Sequence, residues 1–129
     1  MLRRLIPLFI PLALLFFVLI AGCINSRAES GVINAWRAKD APVFERGKTT
    51  QSEVAQALGP PSQLIELENQ LVFYYLAERV KSTGIILIVW NQTKERVIYD
   101  RAIFFFDRKG VLQDFSFSLE EVEYTPPGE

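Results

Sequence analysis

Residues 46–61 read RGKTTQSEVAQALGPP, and the fold turns on what this stretch is. Gly47-Lys48-Thr49 has the ending of a phosphate-binding loop. A full P-loop needs a glycine five positions before Gly47, where Pro42 stands instead. It also needs a buried strand leading in, and the preceding AKDAPVFER is charged throughout and broken by that proline. A helix with its own start and stop accounts for the residues better. Thr50 and Glu53 stand at the S/T-x-x-E spacing at which each side chain satisfies the other's orphan N–H. Val54, Ala55 and Leu58 then make a short apolar stripe. Gly59 falls where a left-handed C-terminal cap belongs, and Pro60 and Pro61 bar continuation. A helix of about two and a half turns is marginal alone, so an apolar surface must cover it.

The residues after Pro61 supply that surface as strands. QLIELENQLVFYYLAERV, residues 63–80, has β-forming residues on both sides of a turn candidate at Glu68-Asn69-Gln70. RVIYDRAIFFFD, residues 96–107, predicts a second long strand. VLQDFSFS, residues 111–118, alternates, with Val111, Phe115 and Phe117 on one face and Asp114, Ser116 and Ser118 on the other. Between the last two, Asp107-Arg108-Lys109-Gly110 signals a tight turn with Gly110 free to take positive φ. The expectation is an α+β domain: one or two short N-terminal helices packed on a three- to four-stranded antiparallel sheet. The second helix would be a short one at Val32, Ile33 and Trp36, and a polar linker is the competing reading of the same residues. GIILIVW, residues 84–90, reads either as a buried strand or as an apolar loop that touches lipid or a partner. The ending LEEVEYTPPGE predicts a loose acidic tail over residues 120–129.

The chain opens MLRRLIPLFIPLALLFFVLIAGC, residues 1–23, with Arg3 and Arg4 before an uncharged run that reaches Gly22. A charged start, an apolar run and small residues before a cleavage point describe a secretory signal over residues 1–22. The run is also long enough for an uncleaved anchor, although Pro7 and Pro11 suit a segment that need not persist as a membrane helix. Ile20-Ala21-Gly22-Cys23 resembles the lipobox of bacterial lipoproteins, which implies cleavage between Gly22 and Cys23 and a diacylglycerol on the Cys23 thiol. More than one acyl chain on a single residue holds a protein durably to a bilayer. By the same resemblance, Ile24 rather than Asp after the cysteine favours the outer membrane, lipid-anchored on its periplasmic face. Cys23 is the sole cysteine, so no internal disulfide can form; a bridge to another chain is the alternative use of a lone secreted thiol. Residues 23–42 then read as lipidated cysteine and linker.

Without the leader, twelve basic residues face fifteen acidic ones, a net charge of about −3 with no basic stripe for nucleic acid. The chain holds no histidine, and no acidic pair stands at a metal-ligand spacing. Asp100 and Asp107 read as a solvated strand acid and a turn-former. Serine-based hydrolysis would need a lysine or aspartate partner that sequence alone does not place. The expectation is therefore a non-catalytic protein without cofactor, metal or nucleotide.

Taken together, the lipobox, GKTTQSEVAQALGPPS, LVFYYL and IFFFDRKGVLQDFSFS resemble the SmpA/OmlA, or BamE-like, outer-membrane lipoproteins. The matching residues are Gly47, Thr49 or Thr50, Val54, Leu58-Gly59-Pro60-Pro61, Phe73 to Tyr75, Phe106-Asp107 and Gly110-Val111. The likeness spans about Phe44 to Ser118, nearly all of a domain placed at residues 43–119. The chain departs from the pattern by one extra residue between Gly47 and Val54 and by a longer stretch between Val80 and Ile98. The resemblance implies an accessory or scaffold in envelope integrity or outer-membrane protein assembly. Its protein contacts would come from Gly47, Thr49 and Thr50 at the helix start, Phe73 and Tyr75 on the aromatic strand, and Ile86 and Trp90 in the apolar insertion. The alternative is a periplasmic protein-binding or inhibitor module with the related fold of β-lactamase inhibitor proteins, gripping its target with Phe73, Tyr74, Tyr75 and Tyr99; alternating core aromatics are the competing reading of the same residues.

Overall fold

The computed structural model describes residues 10–11, 13–16, 22–87 and 91–125. Most of the leader and the residues Ile88 to Trp90 fall outside this set. Among the described residues no helix is long and apolar enough to cross a membrane. The elements in chain order are β1 (Gly22–Gly31), a 3₁₀ turn (Ala35–Arg37), α1 (Gln51–Leu58), β2 (Gln63–Glu66), β3 (Gln70–Ile86), β4 (Asn91–Asp107) and β5 (Leu112–Tyr124). The fold is α+β, with five strands in one sheet where three or four were expected. Strand order is β1-β3-β4-β5, and β2 also pairs with β3.

Strand β1 occupies the stretch expected to be a polar linker. All its residues are exposed, so hydrophobic periodicity carried no sign of it, and backbone pairing to β3 holds it in the sheet. β5 extends to Tyr124 and takes in the first half of the expected loose tail. The turn at residues 67–70 forms as predicted: Leu67 and Gln70 exchange backbone hydrogen bonds of 2.8 and 3.4 Å. This hairpin sets the β2–β3 register, Gln63 against Tyr74 and Glu66 against Leu71. The β4–β5 turn closes through Asp107, whose Oδ1 accepts from the backbone N–H of Lys109 and of Val111 at 2.9 Å each. Gly110 has φ 79° there.

Helix α1 carries the predicted capping box. The Thr50 hydroxyl accepts from Glu53 N–H, and the Thr50 N–H donates to Glu53 Oε2 at 2.7 Å. Val54 and Leu58 turn to the sheet and are buried. Beneath them lie Phe73, Tyr75 and Ala77 from β3 and Ala102, Phe104 and Phe106 from β4, each set at the alternation that puts every second side chain on one face. Edge-on ring contacts join them, with Phe73 and Phe106 at 4.8 Å and Tyr75 and Phe104 at 5.8 Å between centroids. In β5 the inward residue next to the turn is Leu112, fully buried, and not Val111 as alternation predicted. Gln113 and Asp114 are both exposed, so the inward positions change parity before Phe115 and Phe117, which do face Phe104.

By contact the chain divides into two units, one of residues 28–80 and 97–122, the other of residues 1–27, 81–96 and 123–129. Strands β1, β3, β4 and β5 contribute to both. Every buried side chain among the described residues belongs to the first unit.

Candidate interaction surfaces

The polar site at the centre of the larger unit is one that sequence reading missed. Asp100 is 1 % exposed, whereas a strand acid was expected to be solvated. Its parity on β4 is that of Ala102, Phe104 and Phe106, which directs it inward. A carboxylate there must be given donors, because burying an unpaired charge is prohibitively costly. Three arrive from the segment around the 3₁₀ turn. Asn34 Nδ2 donates at 2.6 Å and Trp36 Nε1 at 2.9 Å. Arg37 Nε straddles both carboxylate oxygens at 3.2 and 3.3 Å. Alternation was signal enough to place Asp100 inside; the donors, more than sixty residues away, could not be found that way. Asn34 Oδ1 is buried without a protein donor. The cluster's partners are all structural groups of this chain, and the Trp36 ring packs on Tyr75 at 6.1 Å. Its evident work is to fasten residues 34–37 to the sheet. Among the described residues no group of acidic and cysteine side chains could hold a metal.

The residues expected to contact partners separate into three groups. Phe73 and Tyr75 are core, 7 % and 0 % exposed, so neither can offer a ring to a partner as expected. The Tyr75 hydroxyl donates to the Gly59 carbonyl at 3.0 Å, and burial pushes its pKa up to about 12. The alternation that buries these two turns Tyr74 outward. The Arg101 guanidinium lies 5.2 Å from the centroid of the Tyr99 ring and donates to Glu120 at 2.8 Å; that bond, with Tyr74 adding to it, raises the Arg101 pKa. The four aromatics of the expected binding face are thus divided, Phe73 and Tyr75 inside, Tyr74 and Tyr99 on half-buried positions of the other parity.

Gly47, Thr49 and Thr50 lie together before α1. Gly47 N–H donates to Leu112 O at 2.7 Å, and Leu112 N–H donates to Thr49 O at 2.8 Å. Thr49 Oγ1 accepts from Glu45 N–H. These bonds stitch the helix entrance to β5 and leave the loop's outer side in water. Beside it Arg46 donates to Asp114 Oδ1 at 2.7 Å and covers the Phe115 ring. The Arg46 bond, followed by the Phe115 N–H, holds the Asp114 pKa below its ordinary value.

Ile86 ends β3 and is 37 % exposed, as is Leu87 after it, while Ile85 is 56 % exposed. Of the two readings of residues 84–90, the buried strand does not hold for Ile85 to Leu87. Trp90 lies outside the described residues. Cys23 is exposed at the start of β1. Comparison of the chain with protein-family models, with curated proteins and with solved structures returns no match.

Proposed function

We propose that this chain is a non-catalytic bacterial outer-membrane lipoprotein of SmpA/OmlA (BamE-like) type, anchored through acylated Cys23 on the periplasmic face. It serves as an accessory or scaffold in envelope integrity and outer-membrane protein assembly. The observation that carries this reading is Ile20-Ala21-Gly22-Cys23 standing directly behind a basic, then apolar leader. An α+β domain whose helix start, Leu-Gly-Pro-Pro stop and Phe-Asp turn all form supports it. The mechanism is confinement: a lipid anchor raises the module's effective concentration for whatever partner shares the membrane. Intact-mass analysis and fractionation of the native protein test it. The expected result is an acylated residue 23 in the outer membrane, with Cys23→Ser releasing the chain from that fraction. Unmodified thiol at residue 23, in protein recovered from the cytosol, would overturn it. Crosslinking of the anchored protein, read by mass spectrometry, identifies the partner, and components of the outer-membrane assembly machinery are expected.

A second reading, a protein-binding or inhibitor module, draws on the outward Tyr74 and Tyr99 beside Arg101. Capture of an envelope enzyme by the anchor-free chain, lost on Tyr99→Ala, would favour it over the first.

A further inference from the structure

β5 is the last strand in the order β1-β3-β4-β5, so one of its edges has no strand beyond it among the described residues. The start of that edge is covered. Gly47 N–H donates to Leu112 O, Leu112 N–H donates to Thr49 O, and Thr50 bridges to Val111. Asp114 Oδ1 then takes the Phe115 N–H at 2.9 Å and the Arg46 guanidinium at 2.7 Å. From residue 120 onward the strand carries Glu120, Glu121 and Glu123, charges of the kind that keep an edge from pairing. Between these two guarded stretches runs FSFSL, residues 115–119, with no charge and no proline. An uncharged apolar edge is a template for another strand.

The side chains indicate which strand fits. Phe117 and Leu119 follow Phe115 on the helix-bearing face, and they are 37 % and 59 % exposed. Phe117 lies 6.0 Å from Phe104 and 5.5 Å from Phe115 between centroids, so the aromatic core runs out to the edge and stops there uncovered. The Phe115 N–H is given to a side chain and not to β4, which turns it to the edge. Alternation turns the N–H and C=O of Phe117 and Leu119 the same way. A second copy of β5, antiparallel about a two-fold axis at Ser118, satisfies both the backbone and the side chains. Phe117 and Leu119 of one copy stand opposite Leu119 and Phe117 of the other and exchange backbone hydrogen bonds with them. Ser116 faces Glu120, and Glu121 faces Phe115, whose ring has Arg46 4.8 Å from its centroid. No two carboxylates are opposed. An axis at Glu120 would set that carboxylate against itself, and one at Phe117 would set Asp114 against Glu120, both unfavourable. An axis at Leu119 would set Phe117 against Glu121. Charge thus selects one register.

We propose that two copies of this chain pair edge to edge through residues 115–121 of β5, joining their sheets about a two-fold axis at Ser118. A two-fold contact consumes both edges and stops there, unlike an open array. The pairing does not depend on the lipoprotein reading above, although copies anchored in one membrane would meet at higher effective concentration.

Residues opposed at a non-hydrogen-bonded antiparallel pair have Cα atoms about 4.5 Å apart, within the span of a disulfide. Ser118→Cys in the full chain is therefore expected to give a covalent dimer on mild oxidation. In Ser116→Cys the two thiols stand about 14 Å apart, at roughly 3.4 Å per residue, and should crosslink at least fivefold less. Mixing Ser116→Cys chains with Glu120→Cys chains should restore the bond. Each variant is also made with Cys23→Ser, so that a bond through residue 23 is not mistaken for one through β5. Leu119→Lys, at an exposed position, should lower the Ser118→Cys yield at least fivefold with Tm unchanged. Sedimentation of the unsubstituted chain gives a second measurement, a mass that doubles with rising concentration and does not with Leu119→Lys. Equal crosslinking at residues 116 and 118 overturns the register and the proposal with it. So does a chain that stays monomeric in sedimentation and uncrosslinked at residue 118, and so does growth past the dimer.

Discussion

Gly59 is held at φ 80° and ψ −170°, outside the left-handed region expected of a helix cap and within one open essentially to glycine alone. Its N–H still closes the helix on Ala55 O at 2.9 Å. No atom lies within 4 Å of where a side chain would begin, so the cost of a substitution is backbone strain and not collision. Gly59→Ala and Gly59→Val should then destabilise alike, by about 1–3 kcal/mol, or roughly 4–8 °C of Tm per kcal/mol for a domain of this size. Thermal melts in which Val costs far more than Ala would show that space, not conformation, decides. Asp100 makes the opposite demand, since its surroundings are entirely filled by donors. Asp100→Ala strands the Trp36 N–H and the Arg37 guanidinium, and the expected loss is about 3 kcal/mol. Asp100→Asn keeps an acceptor for Trp36 and should lose less. Urea unfolding followed by Trp36 emission, in a Trp90→Phe background, measures both.

At the scale of elements, α1 depends on charge at its first turn. The Thr50 backbone N–H, then its hydroxyl, hold the Glu53 pKa below the ordinary 4.5. A depressed carboxyl stabilises the fold above its unfolded value, and that contribution is lost as pH falls through the lower folded value. The Tm advantage of the native chain over Glu53→Gln should accordingly be full at pH 7 and be lost in acid, as pH falls through the lowered folded value. An advantage that persists in strong acid would place the effect elsewhere. The raised Tyr75 pKa acts at the other extreme. Its contribution is complete below about pH 10 and declines as pH rises toward 12, and Tyr75→Phe should remove that alkaline decline. The capping box, the Leu58-Gly59-Pro60 stop and the Asp107 turn were all legible because each is a local contract between residues a few positions apart. The β3 and β4 alternation was legible for the same reason. Strand β1 was not, since its residues bury nothing and its place is fixed only by β3. The parity change in β5 was invisible too, as it answers to the Leu112–Thr49 pairing across the chain. Of the candidate contacts, Ile86 is exposed at the end of β3, whereas Phe73 and Tyr75 take the core position that stood as the competing reading of the aromatic strand.

Across the whole molecule, burial is unequal. Trp36, Val54, Phe104, Leu112 and the rest of the core all belong to residues 28–80 and 97–122, while residues 81–87 and 91–96 hold their strands by backbone pairing and surface ion pairs, which contribute little singly. Stability should follow that division. In native-state hydrogen exchange, amides of residues 72–77 and 102–106 are expected to open only with global unfolding, and those of residues 81–86 and 92–96 at a free energy well below it. Uniform protection along β3 would contradict this.

The 3₁₀ turn clamped on Asp100 has a mechanical consequence. β1 begins at Gly22, so a chain held at Cys23 has no slack between its tether and its sheet. Tension drawn along β1 strains its bonds to β3 in shear, side by side and together, and the Asn34, Trp36 and Arg37 bonds form a rivet at the strand's other end. Under the proposed anchoring, a tug on Cys23 would pass along β1 into the sheet, and the strand would yield only when several bonds rupture at once.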